Sequence, residues 1–254
     1  MNQMFFGVSS SLGALGKNNG CEQAPQFLAD LFSLNLTEFG LHGSDIEEHH
    51  VQIFKEAEKV FQLTEFIPVF FGGSHDITFS LFRAFLRINP DASLLVFDAH
   101  ADCDEGVSIP THEDFVRALI KQKIIAPEKV LLFGLRKIYS SEKEFLKNSR
   151  VNKIYLKQLE TDAKNSEKKL FDFISQSQSL YVSFDVDVIN SDLMKSTGYA
   201  PKGGLSIAQS KKFFELALTK AKAIDLVEFN PQKIKLREDL LLKRIFKNFL
   251  KNKK

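Results

Sequence analysis

The strongest constraint on this chain is a rhythm of short, nearly unbroken apolar runs separated by stretches of helical periodicity. The runs at 66–71 (FIPVFF), 92–97 (ASLLVF), 129–134 (KVLLFG), 152–156 (NKIYL), 179–184 (SLYVSF) and 223–229 (AIDLVEF) each have the length of a strand. Most show little alternation, the pattern of strands buried on both faces. Between them, apolar residues recur at helical spacing in 77–86, 113–120, 142–146 and 207–218. Alternation of this kind predicts an α/β fold with a mainly parallel sheet covered on both sides by helices. No repeat, low-complexity segment or linker interrupts the pattern, so residues 1–254 are expected to form one domain with a C-terminal closing helix.

Composition narrows the function. A hydrophobic fraction of 44% with 25 Phe supplies a large core and argues against disorder. Net charge is +2, from 34 basic and 32 acidic residues, so no nucleic acid partner is expected. The two cysteines, Cys21 and Cys103, are too few for a disulfide framework. The opening MNQMFFGVSS lacks the basic start and apolar run of a secretory signal, and no apolar stretch has the length of a membrane span. A cytoplasmic protein without a membrane partner is the expectation.

Polar clusters sit at the ends of the apolar runs. GGSHD (72–76) follows one, DAHADCD (98–104) the next, DVDVIN (185–190) a third and EFNP (228–231) a fourth. Ligand sites in open parallel sheets form beyond the carboxyl ends of the strands, so these clusters are predicted to converge. Convergence would bring Asp98, Asp102, Asp185 and Asp187 together, and such crowding forces protonation unless cations compensate. With His75 and His100 the set mixes oxygen and nitrogen donors. It suits two divalent ions, manganese above all, because magnesium and calcium seldom take imidazole. Asp98, His100 and Asp102 alternate, which would put all three on one side if the strand continues through them.

Together the blocks GGSHD, DAHADCD, SFDVDV, GGLS (203–206) and DLVEFNP (225–231), with GCEQAPQFL (20–28) ahead of them, resemble the signature of the ureohydrolases, the arginase–agmatinase–formimidoylglutamase family. The resemblance runs from Gly7 to Pro231. It implies a three-layer α/β/α fold and two Mn(II) ions per chain. By position, His75, Asp98, Asp102 and Asp185 would hold one ion, and His100, Asp98, Asp185 and Asp187 the other. It further implies that His112 passes a proton to the leaving amine and that Glu228 grips a guanidinium. The expected reaction is hydrolysis of a guanidino compound to urea and an amine. Agmatine is the first choice, arginine the second and a formimino substrate the third. Trimers or hexamers are the implied assembly.

The chain also departs from that pattern. Ser74 stands where the family has Asp, and Asn190-Ser191 where it has Asp-Pro. These changes keep open a non-catalytic binding or regulatory protein of the same fold. Tyr139 occupies roughly the place of an acid that in arginases reads the substrate's α-amino group, whereas Asp104 is placed to meet a distant cation of the substrate. Cys103 reads as a small loop filler. His42, His49 and His50 lie in a polar stretch and are expected on the surface. In the C-terminal segment, Leu236, Leu240, Leu241, Ile245 and Phe249 are spaced for a packed helix with a solvated basic face.

Overall fold

The computed structural model describes residues 2–63, 65–106 and 108–250. Among them lie strands β1 (Asn2–Val8), β2 (Leu36–Glu38), β3 (Phe66–Gly72), β4 (Ser93–Phe97), β5 (Val130–Leu135), β6 (Asn152–Tyr155), β7 (Leu180–Asp185) and β8 (Ala221–Val227). They form one sheet in the order β2-β1-β3-β8-β7-β4-β5-β6. Every pairing is parallel.

Alternate residues of each strand feed two separate cores. Phe71, Leu95, Phe97, Phe133, Phe184 and Leu226 lie in one, with residues of helices α1 (Ala24–Phe32), α8 (Ile207–Leu218) and α9 (Glu238–Phe246). Phe70, Leu94, Val96, Leu132 and Tyr181 lie in the other, with residues of α2 (Ile46–Phe61), α3 (Ile77–Ile88) and α4 (Phe115–Lys121). The period-two side-chain direction of a strand produces this division, and the result is the three-layer α/β/α architecture. Near-continuous apolar runs follow, since both faces of the central strands are covered.

Strand order decides where the site can form. The four strands that end in polar clusters, β3, β8, β7 and β4, are consecutive neighbours at the centre of the sheet. Their carboxyl ends therefore open into one crevice.

Two segments differ from the reading of the sequence. The stretch containing His49 and His50 is the start of α2, capped by the Asp45 side chain, which accepts a bond from Glu48 N. Both histidines are buried rather than exposed. They are paid for by hydrogen bonds: His49 Nδ1 meets Ser10 Oγ at 3.0 Å, and His50 meets Ser80 Oγ at 3.0 Å and the Pro110 carbonyl at 2.8 Å. A histidine with both ring nitrogens satisfied packs like an apolar residue. His42 alone is exposed, as expected.

The second difference is the C-terminal helix. Leu236 is 90% exposed and Leu240 is also exposed, whereas Leu242, Ile245 and Phe246 form the buried face of α9. Phe246 packs edge-on to Phe184 and Phe214. The helix starts only at Glu238, so Leu236 precedes it, while Ile245 is buried as expected and Leu241 and Phe249 pack partly buried against the core. The last four residues of the basic tail lie outside the described residues.

Replacing His50 by Ala would remove the ring from the Pro110 carbonyl and from Ser80, whose hydroxyl still donates to the residue-50 carbonyl at 2.9 Å. The expected loss of unfolding free energy in urea titrations is about 1–3 kcal/mol, while His42→Ala should stay within about 0.5 kcal/mol of wild type.

Candidate metal centre and active site

The carboxyl end of β3 turns sharply into α3 because GGSHD can approach the end of β1 closely. A Cβ on Gly73 would lie 2.0 Å from the Ser10 carbonyl oxygen, so only glycine fits. Ser74 N then donates to that same carbonyl at 2.9 Å. This turn delivers His75, which is 1% exposed, into the crevice.

A short chain of hydrogen bonds fixes the His75 ring. Asp225 accepts from Thr78 Oγ1 (2.9 Å), Tyr181 Oη (2.8 Å) and Ser183 Oγ (2.5 Å). Because the Ser183 proton goes to Asp225, its oxygen is left to accept from His75 Nε2 at 2.8 Å. In the neutral ring His75 Nδ1 then presents a lone pair. It faces Asp98 Oδ2 at 3.0 Å, Asp102 Oδ2 at 3.0 Å and Asp185 Oδ2 at 3.5 Å. Neither Nδ1 nor Asp98 Oδ2 has a hydrogen-bond partner among the described residues, although both are fully buried. A lone pair among three carboxylates is repulsive unless a cation or proton lies between them.

The aspartates are aimed by backbone amides. One oxygen of each accepts an N–H: Asp98 Oδ1 from His100 N (2.6 Å), Asp185 Oδ1 from Asp187 N (2.7 Å) and Asp187 Oδ1 from Ala99 N (2.9 Å). The second oxygen of each is left for the interior of the cluster. His100 Nδ1 lies 2.7 Å from Asp187 Oδ2 and 3.5 Å from Asp98 Oδ1. Two groups with metal-ligand spacing result, His75–Asp98–Asp185 and Asp98–His100–Asp187, and Asp98 belongs to both. Asp102 joins the first through its contact with His75.

The strand does not continue through DAHAD. β4 ends at Phe97, and Asp102 adopts a left-handed φ of 48°. The alternating ligands are therefore gathered by a turn and not by pleating. Asp102 sits in that strained conformation with its carbonyl accepting from Val116 N at the start of α4.

Charge follows from crowding. Burial first, and the charge of Asp98 with it, pushes the Asp102 carboxyl well above the ordinary carboxylate range. Burial and the charges of Asp187 and Asp98 do the same to Asp185. Burial opposes charge on the two histidines, yet the surrounding carboxylates raise His75 well above its usual value and push His100 up to about 12. Protons are thus drawn in to supply the missing positive charge. The donor set, four carboxylates and two imidazoles, fits two divalent cations better than it fits protons.

Glu228 and His112 lie beside this cluster. Glu228 also has a left-handed φ, 64°, and its N–H donates to the Gly73 carbonyl at 2.7 Å. Its carboxylate accepts from His75 N (2.8 Å) and Asn18 Nδ2 (2.8 Å). Burial opposes ionisation of Glu228, but the His112 hydrogen bond and charge outweigh it and hold the carboxyl below its ordinary value. His112 Nδ1 lies 3.5 Å from Glu228 Oε1, and His112 Nε2 is buried with no partner among the described residues. Glu228 and His112 line a cavity of about 390 Å³ with His75, His100, Asp102, Asp185 and Asp187, and Asp104, Tyr139 and Tyr199 lie on its wall.

Each residue singled out from the sequence for the site thus reaches the crevice or its rim. Asp104 lines the cavity with its carboxylate accepting from Ser141 Oγ. Cys103 is buried behind the loop. The residues that departed from the resemblance stand aside: Ser74 Oγ donates to Asp76, and Asn190 Oδ1 accepts from Asp192 N at 2.9 Å. Four supporting residues escaped the sequence reading. Ser183 and Asp225 orient His75, Asn18 steadies Glu228, and Arg136 donates to the Asp187 carbonyl at 2.5 Å and the Ile189 carbonyl at 3.3 Å. Only Asp225 carried a signal, a lone acid inside an apolar strand.

Residues 9–248 match the family model of the arginase family. The chain belongs to the arginase family. It is similar to an agmatinase of Halalkalibacterium halodurans, 31% identical over 176 residues that cover 65% of this chain and 56% of that protein. An arginase of Saccharomyces cerevisiae is 26% identical over 204 residues, 70% of this chain and 61% of the yeast enzyme. The chain thus matches little more than half the length of these relatives. In three dimensions it superposes on the formimidoylglutamase from Bacillus subtilis with a TM-score of 0.87 at 18% identity, covering 97% of this chain and 86% of that one. This last likeness concerns the fold.

Without metal, raised carboxyls bind protons that the unfolded chain releases near its ordinary values, and raised histidines keep protons the unfolded chain loses near neutrality. Both effects remove stability as pH rises. Chelator-treated protein should therefore be less stable at pH 8 than at pH 5 in urea titrations, and added Mn(II) should restore most of the difference. Stability that climbs from pH 5 to pH 8 in chelator would contradict this charge arrangement.

Proposed function

We propose that this protein is a dinuclear manganese hydrolase of guanidino compounds, with agmatine-like amines as its substrates. The observation that carries the reading is the forced tautomer of His75, whose lone pair points among three carboxylates. His75, Asp98, Asp102 and Asp185 would hold one ion, and Asp98, His100, Asp185 and Asp187 the other. Bound there, the metal pair supplies a nucleophilic water at neutral pH and charge stabilisation for the reacting centre.

The chain's own residues do the rest. Glu228, kept ionised and steadied by His75 N and Asn18, can accept charge-assisted hydrogen bonds from a guanidinium. That contact sets the electrophilic carbon against the metal ligands and excludes water from one face. His112 meets Glu228 through Nδ1, and its Nε2 is buried with no partner among the described residues. Burial opposes a charge on His112, but the hydrogen bond and charge of Glu228 outweigh it and raise its basicity, which favours the protonated form. It can deliver that proton to the departing amine nitrogen. At the rim, Asp104 offers a carboxylate for the far ammonium of a diamine-like substrate, and Tyr139 offers no acid to an α-amino group.

His112→Ala should keep its metal and lose about 10²- to 10⁴-fold in kcat, the usual range for removal of a general acid. Unchanged turnover would remove His112 from the reaction. A panel of agmatine, arginine and a formimino compound, assayed for urea, formamide and ammonia, tests the substrate. Agmatine should be hydrolysed fastest with urea as product, and Asp104→Asn should narrow its lead over arginine. Formamide from the formimino compound as the main product would replace the substrate class while leaving the metal chemistry in place.

A further inference from the structure

On the far side of the loop that carries His112 lies a second hollow, a groove of about 370 Å³ between α2, α3 and residues 108–110. Its wall holds Arg83 in an unusual setting. The guanidinium carbon lies 5.2 Å from the centre of the Phe54 ring and 5.0 Å from that of Phe79. Stacking of this kind holds the planar fork in place at little entropic cost. Among the described residues no carboxylate pairs with Arg83 and no acceptor takes its N–H groups. The neighbouring Arg87 is different, for it reaches Glu58 Oε1 at 3.4 Å.

Charge in the groove is accordingly unbalanced. Glu58 is engaged by Arg87, which leaves Glu47 as the unengaged acid of the lining against two unengaged cations, Arg83 and Lys55. Ser108 and Gln122 add polar side chains with no hydrogen-bond partner among the described residues. His50 forms part of the floor, and both its ring nitrogens are already used. Phe54, Phe79, Ile109 and Pro110 supply apolar walls. An oriented guanidinium with free donors, flanked by a lysine and small polar groups and backed by aromatic rings, matches one ligand chemistry.

We infer that this groove is a binding site for a small organic anion, a carboxylate or phosphate group carried on a flat apolar body. The oxyanion takes two parallel N–H bonds from Arg83 and the charge of Lys55, and the apolar body lies against Phe54, Val51 and Pro110. The site is independent of the metal cluster and of the reaction proposed there. It touches the same loop, however: His50 holds the Pro110 carbonyl from the groove side, just ahead of Thr111 and His112.

The test is a titration of protein labelled with ¹⁵N in its arginine side chains, followed through the Arg83 Nε–H resonance. Phenyl phosphate and benzoate are the two anionic probes, and benzylamine, with the same ring and opposite charge, is the comparison. At least one anion should shift the Arg83 resonance saturably, the two arms telling phosphate from carboxylate, and benzylamine should not. Arg83→Met, which keeps the apolar stem, and Arg83→Gln should each weaken that anion about 10- to 100-fold, the loss expected for charge-assisted hydrogen bonds. The inference is overturned if neither anion moves Arg83, if benzylamine binds as well as the anions, or if both variants retain wild-type affinity.

Discussion

Everything at the carboxyl edge of this sheet depends on the repulsion among four buried aspartates. Asp98, Asp102, Asp185 and Asp187 are all at most 6% exposed, and no arrangement of protein dipoles makes four such charges compatible at close range. The surrounding structure sharpens that repulsion. Backbone amides tie one oxygen of Asp98, Asp185 and Asp187, and the Asp225–Ser183 relay turns the His75 lone pair inward. Each device fixes a donor atom facing the interior of the cluster, which favours a cation there. A site built only for stability would have taken the opposite course, with apolar residues or a paired arginine in the crevice.

Local backbone strain appears where the same demand is highest. Asp102 and Glu228 are both non-glycine residues in the left-handed region. Each is held there by main-chain bonds, the Asp102 carbonyl by α4 and the Glu228 amide by Gly73. Strain of this kind persists only when surrounding contacts over-determine it. Here it points two carboxylates into one cavity from different strands, something a regular strand end does not achieve.

Much of this was legible in the sequence because it follows from periodicity. The apolar runs located six central and flanking strands, since burial on both faces suppresses alternation. The ligand residues were legible because they cluster immediately after those runs. What escaped had physical reasons. β1 (NQMFFGV) opens with polar residues, and β2 is only three residues long, so neither reads as a buried run. The first turn of α2 looked like a polar loop because His49 and His50 were counted as polar. In the fold they act as core residues with both nitrogens satisfied. Ser183, Asn18 and Arg136 were invisible because a supporting hydrogen bond between residues distant in sequence leaves no local pattern. The turn at Asp102 was missed for a related reason: alternate spacing predicts a pleat, and only tertiary contacts with α4 reveal the left-handed residue.

The central claim is that the aspartate cluster exists to hold two cations that share Asp98, and metal content measures it most directly. Protein equilibrated with Mn(II), freed of excess and analysed by atomic absorption should hold two ions per chain. The Asp98→Ala variant, folded by circular dichroism, should hold neither. An Asp98→Ala protein that retained both ions would contradict the account, because no bridging ligand would then be needed at that position.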